Sequence, residues 1–201
     1  MGLDLPTPSY TQICRRQATL TVAIPRRKAE RARHIVIDST GLKVYGEGEW
    51  KVRRHGISKR HTWRKLHLTV DADTQEIVAS SLTENDAGDC EVVGEMLERL
   101  EVAESITQAD ADGAYDTRET YRALSERGAH AYIPPRENAR PWKECEGFEG
   151  QRNDAVAAIR AHGKAQWKRE VGDHRRSLAE TVMFRIKTFT LLGMPQSVCI
   201  D

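Results

Sequence analysis

His34-Ile-Val-Ile-Asp38 is the stretch on which the fold turns: three consecutive β-branched residues, the pattern of a buried strand, ending on a carboxylate. Ser39-Thr40-Gly41 follows, so two readings of Asp38 stand. It is a turn or cap residue, or it emerges at the strand's edge, where open α/β sheets bind ligands.

Upstream, residues 1–33 read as an irregular, basic lead-in, because Pro6, Pro8 and Pro25 break regularity and no helical stripe is sustained. Downstream, residues 41–62 are rich in glycine and basic side chains and read as a loop or exposed hairpin. Leu66-His-Leu-Thr-Val70 and Glu76-Ile-Val-Ala-Ser-Ser-Leu82 alternate around the turn segment Asp71–Gln75, which predicts an antiparallel hairpin. A helix is expected from an Asp89 N-cap to about Val102, with Val92, Val93, Met96, Leu97 and Leu100 on one stripe. Ile106–Ala109 is a short strand, Thr117–Arg127 a helix stopped by Gly128, and Ala129–Ile133 a strand ended by Pro134-Pro135. A polar connection over residues 136–153, containing Trp142, leads to helices at about 154–162 and 174–191. Three strands, helix, strand, helix, strand and further helices predict an α/β sheet of mixed strand direction.

The 201 residues suffice for one domain with a sizeable core, and at 6% aromatic that core is mostly aliphatic. No run approaches the roughly 18 apolar residues that span a bilayer, and no secretory signal opens the chain, so a cytoplasmic protein without membrane contact is expected. Cys14, Cys90, Cys145 and Cys199 lie far apart and read as independent reduced thiols rather than a zinc or redox motif. His61 and His67 have no partners at ligand spacing and read as surface or sheet residues. Charge is uneven: residues 1–70 hold 15 Lys/Arg against 5 Asp/Glu, and residues 71–126 hold 3 against 16. That pattern fits a phosphate-binding surface beside a metal-binding one, or two solvated faces.

Asp112 resembles Asp38 in position. It follows a strand and precedes Gly113, which permits a tight turn, with Asp110 and Asp116 as competitors and a helix cap as the plain role of Asp116. In the last helix Arg176, Glu180 and Lys187 fall within roughly 40° of one another, opposite Leu178, Val182, Ile186 and Phe189. Periodicity leaves a solvated surface stripe and a functional one equally open. Three carboxylates on separate elements are what a two-metal phosphoryl-transfer site needs.

These motifs resemble those of bacterial insertion-sequence transposases of the Asp-Asp-Glu type. His34–Lys43 is similar to their first-aspartate motif and Ala111-Asp-Gly-Ala-Tyr-Asp116 to the second. Gly46–Lys51, Trp63–His67 and Ile133-Pro-Pro-Arg136 look like one subgroup. That subgroup carries Tyr, two residues, Arg, three residues, Glu, six residues, Lys; here Arg176, Glu180 and Lys187 match and Asp173 stands at the Tyr position.

The resemblance implies a ribonuclease H-like fold, a mixed five-stranded sheet flanked by helices, over residues 34–191, with 192–201 as a tail. It implies Asp38, Asp112 and Glu180 as ligands of two Mg2+ or Mn2+ ions, with Arg176 and Lys187 near the cut. Arg53, Arg54, Lys59, Arg60, Arg64 and Lys65 are candidates for a DNA backbone track. Trp50 and Trp63 among them either stack on an exposed base or pack on the sheet edge. Double-stranded DNA, both transposon ends and target, is the implied partner, with assembly into a homo-oligomer on it. Relatives are longer before the first Asp, and Leu192–Ser197 is similar to their extreme C-terminus, so an internally deleted copy of uncertain activity is expected. A non-catalytic DNA-binding remnant and another ribonuclease H-like endonuclease are the alternatives.

Overall fold

The computed structural model describes residues 9–17, 19, 31–44, 62–101, 104–143 and 147–193. Five strands form one sheet: β1 (Arg33–Val44), β2 (Thr62–Asp71), β3 (Ile77–Glu84), β4 (Ile106–Ala111) and β5 (His130–Tyr132), in the order β3-β2-β1-β4-β5. β2 pairs antiparallel with both β1 and β3, whereas β4 is parallel to β1 and β5 to β4. A five-stranded mixed sheet in this order, with β2 alone reversed and helices flanking it, is a ribonuclease H-like α/β fold.

The helices are α1 (Tyr10–Gln17), α2 (Val93–Glu98), α3 (Arg118–Glu126), α4 (Phe148–His162), α5 (Lys164–Val171) and α6 (Ser177–Gly193). No helix of the described residues is long and apolar enough to cross a membrane.

Period-two alternation in β1 divides the core. Ile35 and Ile37 join Met96, Leu97 and Leu100 and, from α3, Tyr121 and Leu124 on one face. Val36 joins Leu68 and Val70 of β2 and Ala179, Val182 and Met183 of α6 on the other. The β2–β3 hairpin forms where its alternation and turn residues predict. Asp71 closes the turn by accepting the N–H groups of Asp73 (2.9 Å) and Thr74 (3.0 Å). Burial alone would raise its carboxyl's pKa; those two bonds and the Arg33 guanidinium, 2.9 Å away, outweigh it and hold the pKa below the usual value.

Several elements differ from expectation. The lead-in holds α1, started by a capping box: the Ser9 N–H donates to Gln12 Oε1 (2.9 Å) and the Gln12 N–H to Ser9 Oγ (3.4 Å). β1 runs to Val44, so its ladder with β2 extends to Val44↔Thr62, while residues 45–61 lie outside the described residues. Asp89 does not cap a helix; it opens the short 3-10 turn Asp89–Val92, with its carboxylate 3.2 Å from Lys65 Nζ, and α2 ends at Glu98. α4 starts at Phe148, six residues before the expected start, and Glu149 and Arg152 in it are buried. Arg152 pairs with a carboxylate, and the Gln151 side chain accepts the Ala131 N–H (3.0 Å), so polar residues occupy inward positions and hide the apolar period.

Candidate active site

His34, Val36, Asp38 and Thr40 alternate onto the β1 face that α6 covers, and the C-terminal segment meets them in order. Arg175 Nη1 donates to His34 Nδ1 (3.0 Å), Val36 packs with Ala179, Val182 and Met183, and Lys187 Nζ donates to Thr40 Oγ1 (2.6 Å). Six strand residues advance about 20 Å and twelve helical residues about 18 Å, so the two elements stay in step. Asp38 lies between these contacts, within electrostatic reach of Arg176 and Glu180.

The other aspartate follows β4. The β1–β4 register ends with Ile37 beside Ala111, Asp112 comes next in the chain, and it lies within electrostatic reach of Asp38. The Ser39 N–H donates to Asp38 Oδ1 (2.8 Å) within β1, and the Ala114 N–H to Asp112 Oδ1 (2.8 Å) at the start of a 3-10 turn, so each carboxyl is held by a backbone N–H just downstream. Burial pushes the Asp38 carboxyl above its usual pKa; the Ser39 N–H opposes this, repulsion from Asp112 and Glu180 adds to it, and Arg176 relieves part.

The Asp112 loop is tied down from below. Arg152 meets Asp116 through two bonds, Nε to Oδ1 (2.6 Å) and Nη2 to Oδ2 (3.0 Å), and the Arg136 N–H reaches Oδ2 at 3.1 Å. Arg136 also donates to the carbonyls of Gly113 and Ala114. Thr117, not Asp116, caps α3 by accepting the Thr120 N–H. Asp110 is buried against His34 Nε2 (2.7 Å) and Gln108. Arg175 can only donate, so His34 accepts at Nδ1 and donates from Nε2 to Asp110. Asp110 and Asp116 thus have structural partners. The sequence carries no signal for the pairing of Asp116 with Arg152, which lie 36 residues apart.

The Arg176–Glu180–Lys187 stripe is placed differently than expected. Arg176 ends the 3-10 turn Asp173–Arg176, just before α6. The buried stripe of α6 is Ala179, Val182 and Met183, with Leu178 and Ile186 beside it. Met183 turns the helix so that the polar stripe flanks the sheet contact instead of opposing it. Asp173, at the position the resemblance gives to Tyr, pairs with Lys168 Nζ at 2.8 Å, which offsets its charge.

Of the basic and aromatic candidates, Trp50, Arg53, Arg54, Lys59 and Arg60 lie outside the described residues. Trp63 pairs with Lys43 in the β1–β2 ladder, and its side chain is likewise outside them. Arg64 pairs with Glu84 across β2–β3, and Lys65 donates to the Ala87 carbonyl (3.0 Å) beside Asp89. The sequence reading passed over Phe184, a large hydrophobic side chain left 70% exposed on α6.

A divalent-cation site is testable on these residues. The donor set is three hard carboxylates, and the repulsion that Asp38 feels from Asp112 and Glu180 is what a cation relieves. Among the described residues no three His, Cys, Asp or Glu side chains are gathered closely enough to hold an ion. Charge and ligand chemistry fit such ions, while ligation needs the three side chains drawn closer together.

The family model for the transposase DDE domain matches residues 29–194, and a second model of the same description matches residues 1–47. The chain belongs to the transposase DDE domain family. Among solved structures, a chain in the simian T-cell lymphotropic virus intasome in complex with PP2A regulatory subunit B56 gamma aligns at 14% identity and a TM-score of 0.37. The alignment covers 71% of this chain and 48% of that one, so this chain spans about half its length.

Proposed function

We propose that this chain is the catalytic core of an insertion-sequence transposase that cuts DNA and joins the freed end to target DNA. It is assigned to the subgroup with the Tyr-(2)-Arg-(3)-Glu-(6)-Lys signature, here with Asp173 in place of Tyr. Asp38, Asp112 and Glu180 are the residues that would hold two Mg2+ or Mn2+ ions. When bound, such ions activate the attacking oxygen and neutralise charge on the leaving one. The chain's own groups position the rest. Arg176, beside Asp38, and Lys187, about two turns beyond Glu180, are fixed cations for the phosphate flanking the cut. Double-stranded DNA is the partner, and pairing two ends calls for more than one copy of the chain.

What supports this reading is that side chains from three parts of the chain, Asp112 after β4 and Arg176 and Glu180 around the start of α6, lie within electrostatic reach of Asp38 on β1. The spread of the carboxylates favours a second reading, a chain that binds DNA without cutting it. Nicking of supercoiled plasmid in Mg2+ or Mn2+ separates the two. Cleavage that is lost in Asp112→Asn supports the enzyme. Plasmid binding without nicking by folded protein overturns it in favour of the second reading.

A further inference from the structure

Val36, Ala179, Val182 and Met183 hold α6 on the sheet, but apolar packing is non-directional and does not fix how far along β1 the helix sits. Hydrogen bonds do, because they weaken steeply once misaligned. Arg175, just before α6, bonds to His34 at one end of the contact, and Lys187 bonds to Thr40 at the other. Lys187 is the cation assigned above to phosphate, so bound DNA would compete with Thr40 for it. The tie at His34 is free of that competition, since the residue is only 9% exposed.

The surroundings of His34 define its state. Nε2 donates to Asp110 Oδ2 (2.7 Å), and Gln108 donates to the other oxygen of Asp110 (2.9 Å). The carboxylate is thus held on both sides and fixes the neutral imidazole in one tautomer. Nδ1 is left as an acceptor facing the 3-10 turn Asp173–Arg176, where Arg175 Nη1 donates to it (3.0 Å). That turn packs on both β1 and β4. Arg176 is the next residue and Glu180 lies four further on, both within electrostatic reach of Asp38. Asp38 itself is four residues along β1 from His34, about 13 Å. Asp110 stands two residues before Asp112. One imidazole therefore joins the three parts of the chain that carry the three carboxylates.

Resting on the DNA-cleavage reading above, we propose that His34 is a positioning residue for that reaction: locked by Asp110, it sets the start of α6 through Arg175, and with it Arg176 and Glu180, against Asp38. With the helix in register, drawing the carboxylates together takes side-chain movement and no shift of α6.

Two substitutions separate the two bonds. Asn places an amide oxygen near the position of imidazole Nδ1, and Gln an amide nitrogen near that of Nε2. His34→Asn keeps an acceptor for Arg175 and loses the donor to Asp110, whereas His34→Gln does the reverse, so each gives up one bond. Mn2+ affinity, followed by electron paramagnetic resonance, is compared for these two, for Arg175→Ala, and for Asp73→Ala, which removes the other partner of Arg175 (3.1 Å). Circular dichroism checks that each variant is folded at the assay temperature. The expected result is that His34→Gln and Arg175→Ala bind Mn2+ about 10-fold more weakly, the low end for outer partners of a metal site, while His34→Asn and Asp73→Ala stay within about 2-fold of the wild type. Equal weakening by His34→Asn and His34→Gln, or wild-type binding by Arg175→Ala, overturns the positioning role and leaves the cleavage reading intact. A folded wild type that binds no Mn2+ overturns both. The Arg175 side chain is 42% exposed, so if the His34 variants do not fold, Arg175→Ala against Asp73→Ala decides: equal affinities overturn the role, and a loss confined to Arg175→Ala supports it.

Discussion

Replacing Asp116 by Asn removes one charge and almost no volume, from a place where the charge is hard to replace. The Asp116 side chain is 1% exposed and that of Arg152 7%. Asp116→Asn leaves the guanidinium buried without its counter-ion, the situation that costs about 3–5 kcal/mol in proteins. Two contacts survive: Arg152 still donates to the Arg140 carbonyl at 2.9 Å and still lies 4.3 Å from the Trp142 ring. These place the expected loss at the low end, about 3 kcal/mol. With a urea dependence of about 2 kcal/mol per molar, the midpoint should fall by about 1.5 M at unchanged slope. Urea titration followed by circular dichroism measures it. Adding Arg152→Met to Asp116→Asn removes the stranded charge and should restore most of the loss. A single-variant shift under about 0.3 M, or a double variant worse than the single, would refute the view that a buried pair pins the Asp112 loop.

Two other perturbations address the carboxylates and their turn. A Cβ on Gly113 would meet the Pro134 carbonyl oxygen at 3.1 Å, so Gly113→Ala should destabilise by about 1 kcal/mol, read in the same titration; a stabilised variant contradicts the tight turn. Asp38 has a raised pKa, so its ionisation disfavours the folded state: its contribution is intact below the ordinary aspartate range and is lost as pH rises through the raised value. Without divalent ions, Asp38→Asn should therefore melt above the wild type at about pH 8 and level with it near pH 3. A variant that melts lower at about pH 8 contradicts the crowding of charge at this site.

The fold was largely legible because its sheet obeys local rules. Alternation and turn chemistry mark β2, β3 and the Asp71 turn, and the run Ile35-Val-Ile37 marks the central strand. What failed locally was where polar side chains serve tertiary partners. Asp89 has the composition of a cap but lies against Lys65, and Arg152 interrupts the apolar period of α4 because its partner is Asp116. At the site, the spacing of Arg176, Glu180 and Lys187 was readable, but its orientation was not. Met183, which is buried with Val36 and Leu68, turns α6 toward β1, and single-helix periodicity cannot reveal that packing. The exposure of Phe184 was hidden for the same reason, since an aromatic residue in an apolar helix reads as core.

The claim on which the account depends is that Asp38, Asp112 and Glu180 form one divalent-cation site, and Mn2+ titration followed by electron paramagnetic resonance tests it most directly. The expected result is saturable binding of about two ions per chain by the wild type, as for two-metal sites, with at least one lost in Asp112→Asn. Absence of binding by the folded wild type, or identical binding by the variant, would contradict it.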